Sequence, residues 1–108
     1  MSRWNDARFD ADRALAGVLT TLRPGATVTL AWYETQAELD SFNPSNRWPV
    51  AYHQVVTRAA QRILLKKGAK VTVSPITTKA ANAWLASQQD KTASYDAYLK
   101  SLSVLIIS

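Results

Sequence analysis

The chain reads as a small α/β domain: a short, mostly parallel three-stranded sheet packed with about four helices. Three observations predict this. The apolar spacing switches between a helical period and a strand period along the chain. The elements run helix, strand, helix, strand, helix pair, strand, and strand–helix–strand links favour parallel pairing through right-handed crossovers. The 108 residues, 47% apolar and 19% charged, suffice for one core, hiding roughly 65% of the unfolded surface. Residues 1–108 therefore form a single compact domain.

Each element follows from local chemistry. Asn5 can cap a helix beginning at Asp6, an acid suited to the positive end of the dipole. Trp4, Ala7, Ala11, Leu15, Val18 and Leu22 then recur at helical spacing, and Arg23-Pro24-Gly25 stops the run. Residues 27–34 alternate, with Val28, Leu30 and Trp32 on one face and Thr27, Thr29, Ala31 and Tyr33 on the other. Residues 38–42 form a short helical turn before the loop Asn43-Pro44-Ser45-Asn46. Pro49 suits the first turn of a helix over 49–67, which buries Tyr52, Val55, Val56, Ala59, Ala60, Ile63 and Leu64. Gly68 closes that helix behind Lys66 and Lys67.

Residues 70–76 form the second strand, with Val71 and Val73 inward. Thr77 or Thr78 caps a helix carrying Ala81, Trp84 and Leu85. A further helix over 92–102 buries Tyr95, Tyr98, Leu99 and Leu102, with Asp96 and Lys100 paired on its outer side. The apolar run 104–107 fits a strand covered on both faces, which should be central in the sheet or well covered. Thr27, Thr29, Thr72 and Ser74 are too polar for a second full helical layer, so one sheet face stays open or is covered by a partner.

Composition removes several chemistries. There is no cysteine, which excludes disulfides, thiolate metal sites and a cysteine nucleophile. The one histidine, His53, cannot form a multi-histidine metal site and reads as a core-boundary residue. The isolated glycines Gly17, Gly25 and Gly68 make no phosphate-cradling loop, and no GxSxG elbow occurs. Carboxylates do not cluster as a metal nuclease needs: Glu34 stands alone near a strand end and Glu38 and Asp40 share a turn. The residues favour binding over catalysis, with no metal and no cofactor. The absence of a long apolar run or a leader-like N-terminus implies a soluble, cytoplasmic protein without a membrane partner.

The formal charge is +5, unevenly spread. Residues 1–40 balance to −2 and residues 90–108 to zero, whereas 41–89 hold seven cations and no acid. Such a stretch attracts nucleic acid or acidic protein surfaces, although it also fits a plain solvated face. Arg58, Arg62 and Lys66 lie four apart along one helix side, with Lys67 and Lys70 just beyond. Arg47 and Trp48, between Phe42 and Tyr52, could stack bases or anchor a protein contact, or simply plug the core. Thr77, Thr78 and Lys79 begin a helix at the strand ends, where an anion or small phosphate ligand could bind, or where a threonine merely caps. Phe9 and Leu65 are bulky residues off the buried faces of their helices, as a contact surface would require.

These features favour a non-catalytic basic protein acting by stoichiometric contact with an acidic or nucleic-acid-handling protein. Small inhibitors of host-defence complexes carried by phages and mobile elements share this size and lack of catalytic groups. Four tryptophans mildly favour protein contact, since interfaces are rich in Trp and Arg. The alternatives are a nucleic-acid-binding module using the 41–89 surface and a phosphate-ligand domain at the strand ends.

Overall fold

The computed structural model describes residues 3–89 and 93–107, with side chains from Asp6 onward. In chain order the elements are α1 (Arg3–Thr21), β1 (Thr27–Trp32), α2 (Gln36–Phe42), α3 (Val50–Lys66), β2 (Lys70–Pro75), α4 (Thr78–Ser87), α5 (Tyr95–Ser101) and β3 (Val104–Leu105). The sheet order is β2-β1-β3. Both pairings are parallel, with Leu30 beside Val73 on one side and beside Leu105 on the other. The expected small α/β domain is therefore what the chain forms.

The alternation in β1 sorts its side chains into two cores. Val28 and Leu30 point toward α3 and α1, where Ala7, Ala11, Leu15, Val56, Ala59, Ala60, Leu64 and Ile107 pack around them. Each fully buried leucine of this group contributes about 2 kcal/mol of transfer free energy. Ala31 and Tyr33 point the other way, into Leu39, Phe42, Ile76, Ala81, Tyr98 and Leu99 of α2, α4, α5 and their flanks. The second sheet face is thus covered at its carboxyl end. Toward the amino end Thr27 and Thr72 remain exposed, so the expected open face is only half the sheet.

Local chemistry fixes the joints. Arg23-Pro24-Gly25-Ala26 closes as a β-turn, Ala26 N donating to Arg23 O at 3.0 Å with Gly25 at φ +81°. Proline then glycine at the two central positions is the type II preference. At the end of α3, Gly68 N donates to Leu65 O and Ala69 N to Leu64 O, at 3.0 and 3.1 Å. This is a Schellman closure, and Gly68 supplies the φ of +89° it demands.

Several expectations are corrected. The 104–107 run is not central: β3 is a two-residue edge strand and Ile106 is 47% exposed. Leu105 and Ile107 join the core on the α3 side and Val104 packs on the other, while Ile106 is left exposed. Asn5 does not cap α1, because the helix already begins at Arg3. Pro49 is the N-cap of α3 rather than part of its first turn. Having no side chain to cap with, it leaves Val50 N to Gln36 Oε1 of α2, which accepts at 2.6 Å. The last helix begins at Tyr95 behind its cap Ser94, and Leu102, just past its end, is 38% exposed. Residue 92, the expected start, lies outside the described residues.

Candidate partner-binding face

The outer side of α3 carries the expected row. Arg58, Arg62 and Lys66 are exposed along it, and Lys67 and Lys70 are exposed just past its end. Arg58 is held in place: its guanidinium stands 4.5 Å from the Trp32 ring centroid and donates to Gln61 Oε1 at 3.1 Å. Such a cation–π contact at an exposed site is worth about 0.5–1 kcal/mol. Trp32 Nε1 in turn donates to Glu34 Oε1 at 2.9 Å. Together with Val73 and Pro75 these residues line a shallow hollow of about 330 Å³ at the carboxyl ends of β1 and β2.

A second depression, of about 350 Å³, runs between α1 and α3 and is lined by Arg8, Ala59, Arg62, Ile63, Leu65 and Lys66. Leu65 is 51% exposed here, as its off-face position implied. Phe9, the next residue to Arg8 on α1, is 67% exposed but does not line this groove. Cations and apolar side chains alternate along the lining because the acid-free helix carries its basic row immediately beside its buried stripe.

Arg47 and Trp48 divide. Arg47 is exposed and lines a hollow of about 180 Å³ with Arg13, Ser45, Asn46 and Trp48. The Trp48 ring is half-buried, edge-on to Tyr52 at 5.3 Å and 6.0 Å from His53. Its backbone is clamped by Asn46, whose Oδ1 accepts from Trp48 N at 3.1 Å and whose Nδ2 donates to Trp48 O at 2.7 Å. Phe42 is buried and stacks on Tyr95 at 4.7 Å. The loop aromatics pack inward, as a core plug does.

The start of α4 is occupied from within. Thr77 Oγ1 caps the helix by accepting from Ala80 N at 3.1 Å. Thr78 N donates to Glu38 Oε2 of α2, also at 3.1 Å. The carboxylate favoured at this helix N-terminus is thus the chain's own, and an external anion at Thr77, Thr78 and exposed Lys79 would have to displace it. Glu38 is itself positioned by a reciprocal cap: Thr35 Oγ1 accepts from Glu38 N and donates to Glu38 Oε1, both at 3.2 Å. Sequence reasoning left this role of Glu38 out. The Thr35-x-x-Glu38 spacing is the capping-box signature that could have located the helix start.

His53 sits deeper than a core boundary, 2% exposed. Its Nε2 lies 3.0 Å from the Ile107 carbonyl oxygen, which can only accept, so Nε2 carries the proton. Nδ1 faces Thr57 Oγ1 at 3.4 Å, and the Tyr33 ring meets the imidazole edge-on at 5.4 Å. Burial lowers its pKa, opposed in part by the bond to Ile107. The histidine joins α3 to the segment after β3. Among the described residues no group of three or more His, Asp or Glu side chains is placed to hold a metal ion, and no helix is long and apolar enough to cross a membrane.

Compared with family models, with curated proteins and with solved structures, the chain matches none.

Proposed function

We propose that the chain is a basic, non-catalytic binding protein that acts by stoichiometric contact with an acidic or nucleic-acid-handling protein. The observation that carries this reading is Leu65, half exposed on α3 between Arg62 and Lys66 and across a groove from Arg8. The buried centre of a protein contact is apolar and its rim is polar. A phosphate backbone needs only the charges and gains nothing from the leucine. An inhibitor carried by a phage or mobile element would work in this way, covering an acidic face of a host-defence complex without chemistry of its own.

The test is affinity capture with and without nuclease, followed by a salt series on the wild type and the Arg58→Glu/Arg62→Glu/Lys66→Glu variant. A partner that survives nuclease and binds in fixed stoichiometry supports the reading, and the variant should then associate more slowly at low salt. Loss of the partner on nuclease treatment, with duplex affinity falling steeply as salt rises, would instead make the chain a nucleic-acid-binding module using its 41–89 surface. Identical affinities at every salt concentration would remove α3 from the interface.

A further inference from the structure

We infer that the groove between α1 and α3 receives an acidic protein segment anchored by one bulky apolar side chain. The inference rests on the protein-binding reading above and specifies what the partner presents. The α3 part of the lining, residues 59–66, spans about 10 Å of helix at roughly 1.5 Å per residue. That length admits a few residues of a partner, not a domain face. Ala59 is buried and Ile63 half-buried, giving an apolar floor, with Leu65 standing half exposed beside it. Among the described residues, the ionisable side chains in the lining are Arg8, Arg62 and Lys66, all cations. Asp12, one turn beyond Arg8 on α1, is exposed and does not line the groove.

The chemistry of the occupant follows by complementarity. A small inorganic anion would meet the cations but leave the apolar floor uncovered. A nucleic acid strand would meet the cations but has no use for the apolar floor, and among the described lining residues there is no aromatic ring to stack a base on. An apolar segment without acids would bring its neutral backbone against a basic rim and gain none of the charge steering. A leucine-sized anchor between carboxylates satisfies floor and rim together, and burying it alongside Leu65 removes apolar area from water on both partners.

The probe is a fluorescein-labelled synthetic peptide of about a dozen residues with one leucine flanked by glutamates, titrated with the intact protein by fluorescence anisotropy. Its comparators are the same peptide with leucine replaced by serine, the same peptide with glutamates replaced by glutamines, and a labelled duplex DNA. Either peptide change should weaken binding to the wild type by roughly tenfold or more. Leu65→Ser should weaken the leucine peptide by about tenfold and leave the serine peptide unchanged. Arg8→Glu should weaken both glutamate peptides, whereas Arg23→Glu, in the turn after α1, should change neither. Equal binding of the leucine and serine peptides, or no effect of Leu65→Ser, overturns the groove while leaving a charge-driven protein contact standing. No binding by any peptide alongside a nuclease-resistant cellular complex does the same. Displacement of the peptide by duplex DNA, with a steep salt slope for the duplex, overturns the protein-binding reading itself. Self-association in sedimentation, abolished by Leu65→Ser, gives the groove to a second copy of the chain and overturns the inference.

Discussion

The two faces of the sheet are held by different means. The fully buried side chains on the α1/α3 side are aliphatic, mostly alanines and leucines at helical spacing delivered by helices of 19 and 17 residues, with Trp48 and Tyr52 packing at the margin. The α2/α4/α5 side is built from helices of 7, 10 and 7 residues, too short for periodicity alone to secure them. It relies on rings and on specific polar bonds. Phe42 lies among Tyr33, Tyr95 and Tyr98 with centroids 4.7–6.4 Å apart. Tyr95 Oη donates to Asn82 Oδ1 at 2.7 Å, joining α5 to α4, and Glu38 joins α2 to α4. A long helix can be placed by where its apolar residues fall. A set of short ones is placed by individual side chains that reach from one to the next.

The most severe way to probe this contrast is to empty each core. Leu64→Ala, from a fully buried site, should cost about 2–5 kcal/mol, and Phe42→Ala about 3–5 kcal/mol. Because Leu30 serves one core and its neighbour Ala31 the other, both variants should still melt in a single transition in calorimetry. A separate early transition in Phe42→Ala would show the aromatic side to be an independent unit.

His53 touches both sides, through Ile107 and through Tyr33. Its pKa is lowered in the folded state by burial, so the unfolded chain binds the proton more readily. The contribution is fully present above the ordinary histidine value near 6.5 and is lost as pH falls below it toward the folded value. Stability should therefore decline below about pH 6.5, by at most about 1.4 kcal/mol per pH unit from this group. Urea melts of the wild type and His53→Gln from pH 7.5 to 5 check this. A slope equally steep in the variant would assign the decline to other groups.

Glu38→Ala should act on the short-helix side alone, costing about 1–2 kcal/mol by uncapping Thr78 and undoing the reciprocal bond to Thr35. Hydrogen exchange should then accelerate in α2 and α4 while the α3 amides keep their protection. Equal acceleration in α3 would show that the latch supports the whole domain. The smallest effect belongs to the basic row: charge reversal at Arg58, Arg62 and Lys66 should shift stability by within about 0.5 kcal/mol each. Arg58 should lose most, since its variant gives up the contact with Trp32.

The same contrast explains what could be read from the sequence. The α3 stripe, the β1 alternation and the Gly68 closure were legible because each is a local pattern with one physical solution. The basic row was legible as an exposed side of α3 for the same reason. The edge position of β3 was not, because four consecutive apolar residues are compatible with a covered central strand. Only the strand order, with β1 in the centre and β3 on its outer side, decides otherwise. The filling of the α4 N-terminus was hidden too, since Glu38 and Thr78 are 40 residues apart in sequence. That positive charge gathers between 41 and 89 was plain; which cations would share a groove with Leu65 depended on how α1 lies against α3.

The late position of β3 bears on how the domain assembles during synthesis. β1, α3 and β2 form a continuous stretch that can pair as soon as Pro75 has emerged. The far edge of β1 must wait for Val104, 75 residues after its partner Thr29. At about 5–20 residues per second that interval is seconds long. Through that interval the edge of β1 that β3 will cover is unpaired. β3 then closes a gap in the sheet as well as bringing Leu105 and Ile107 to its core.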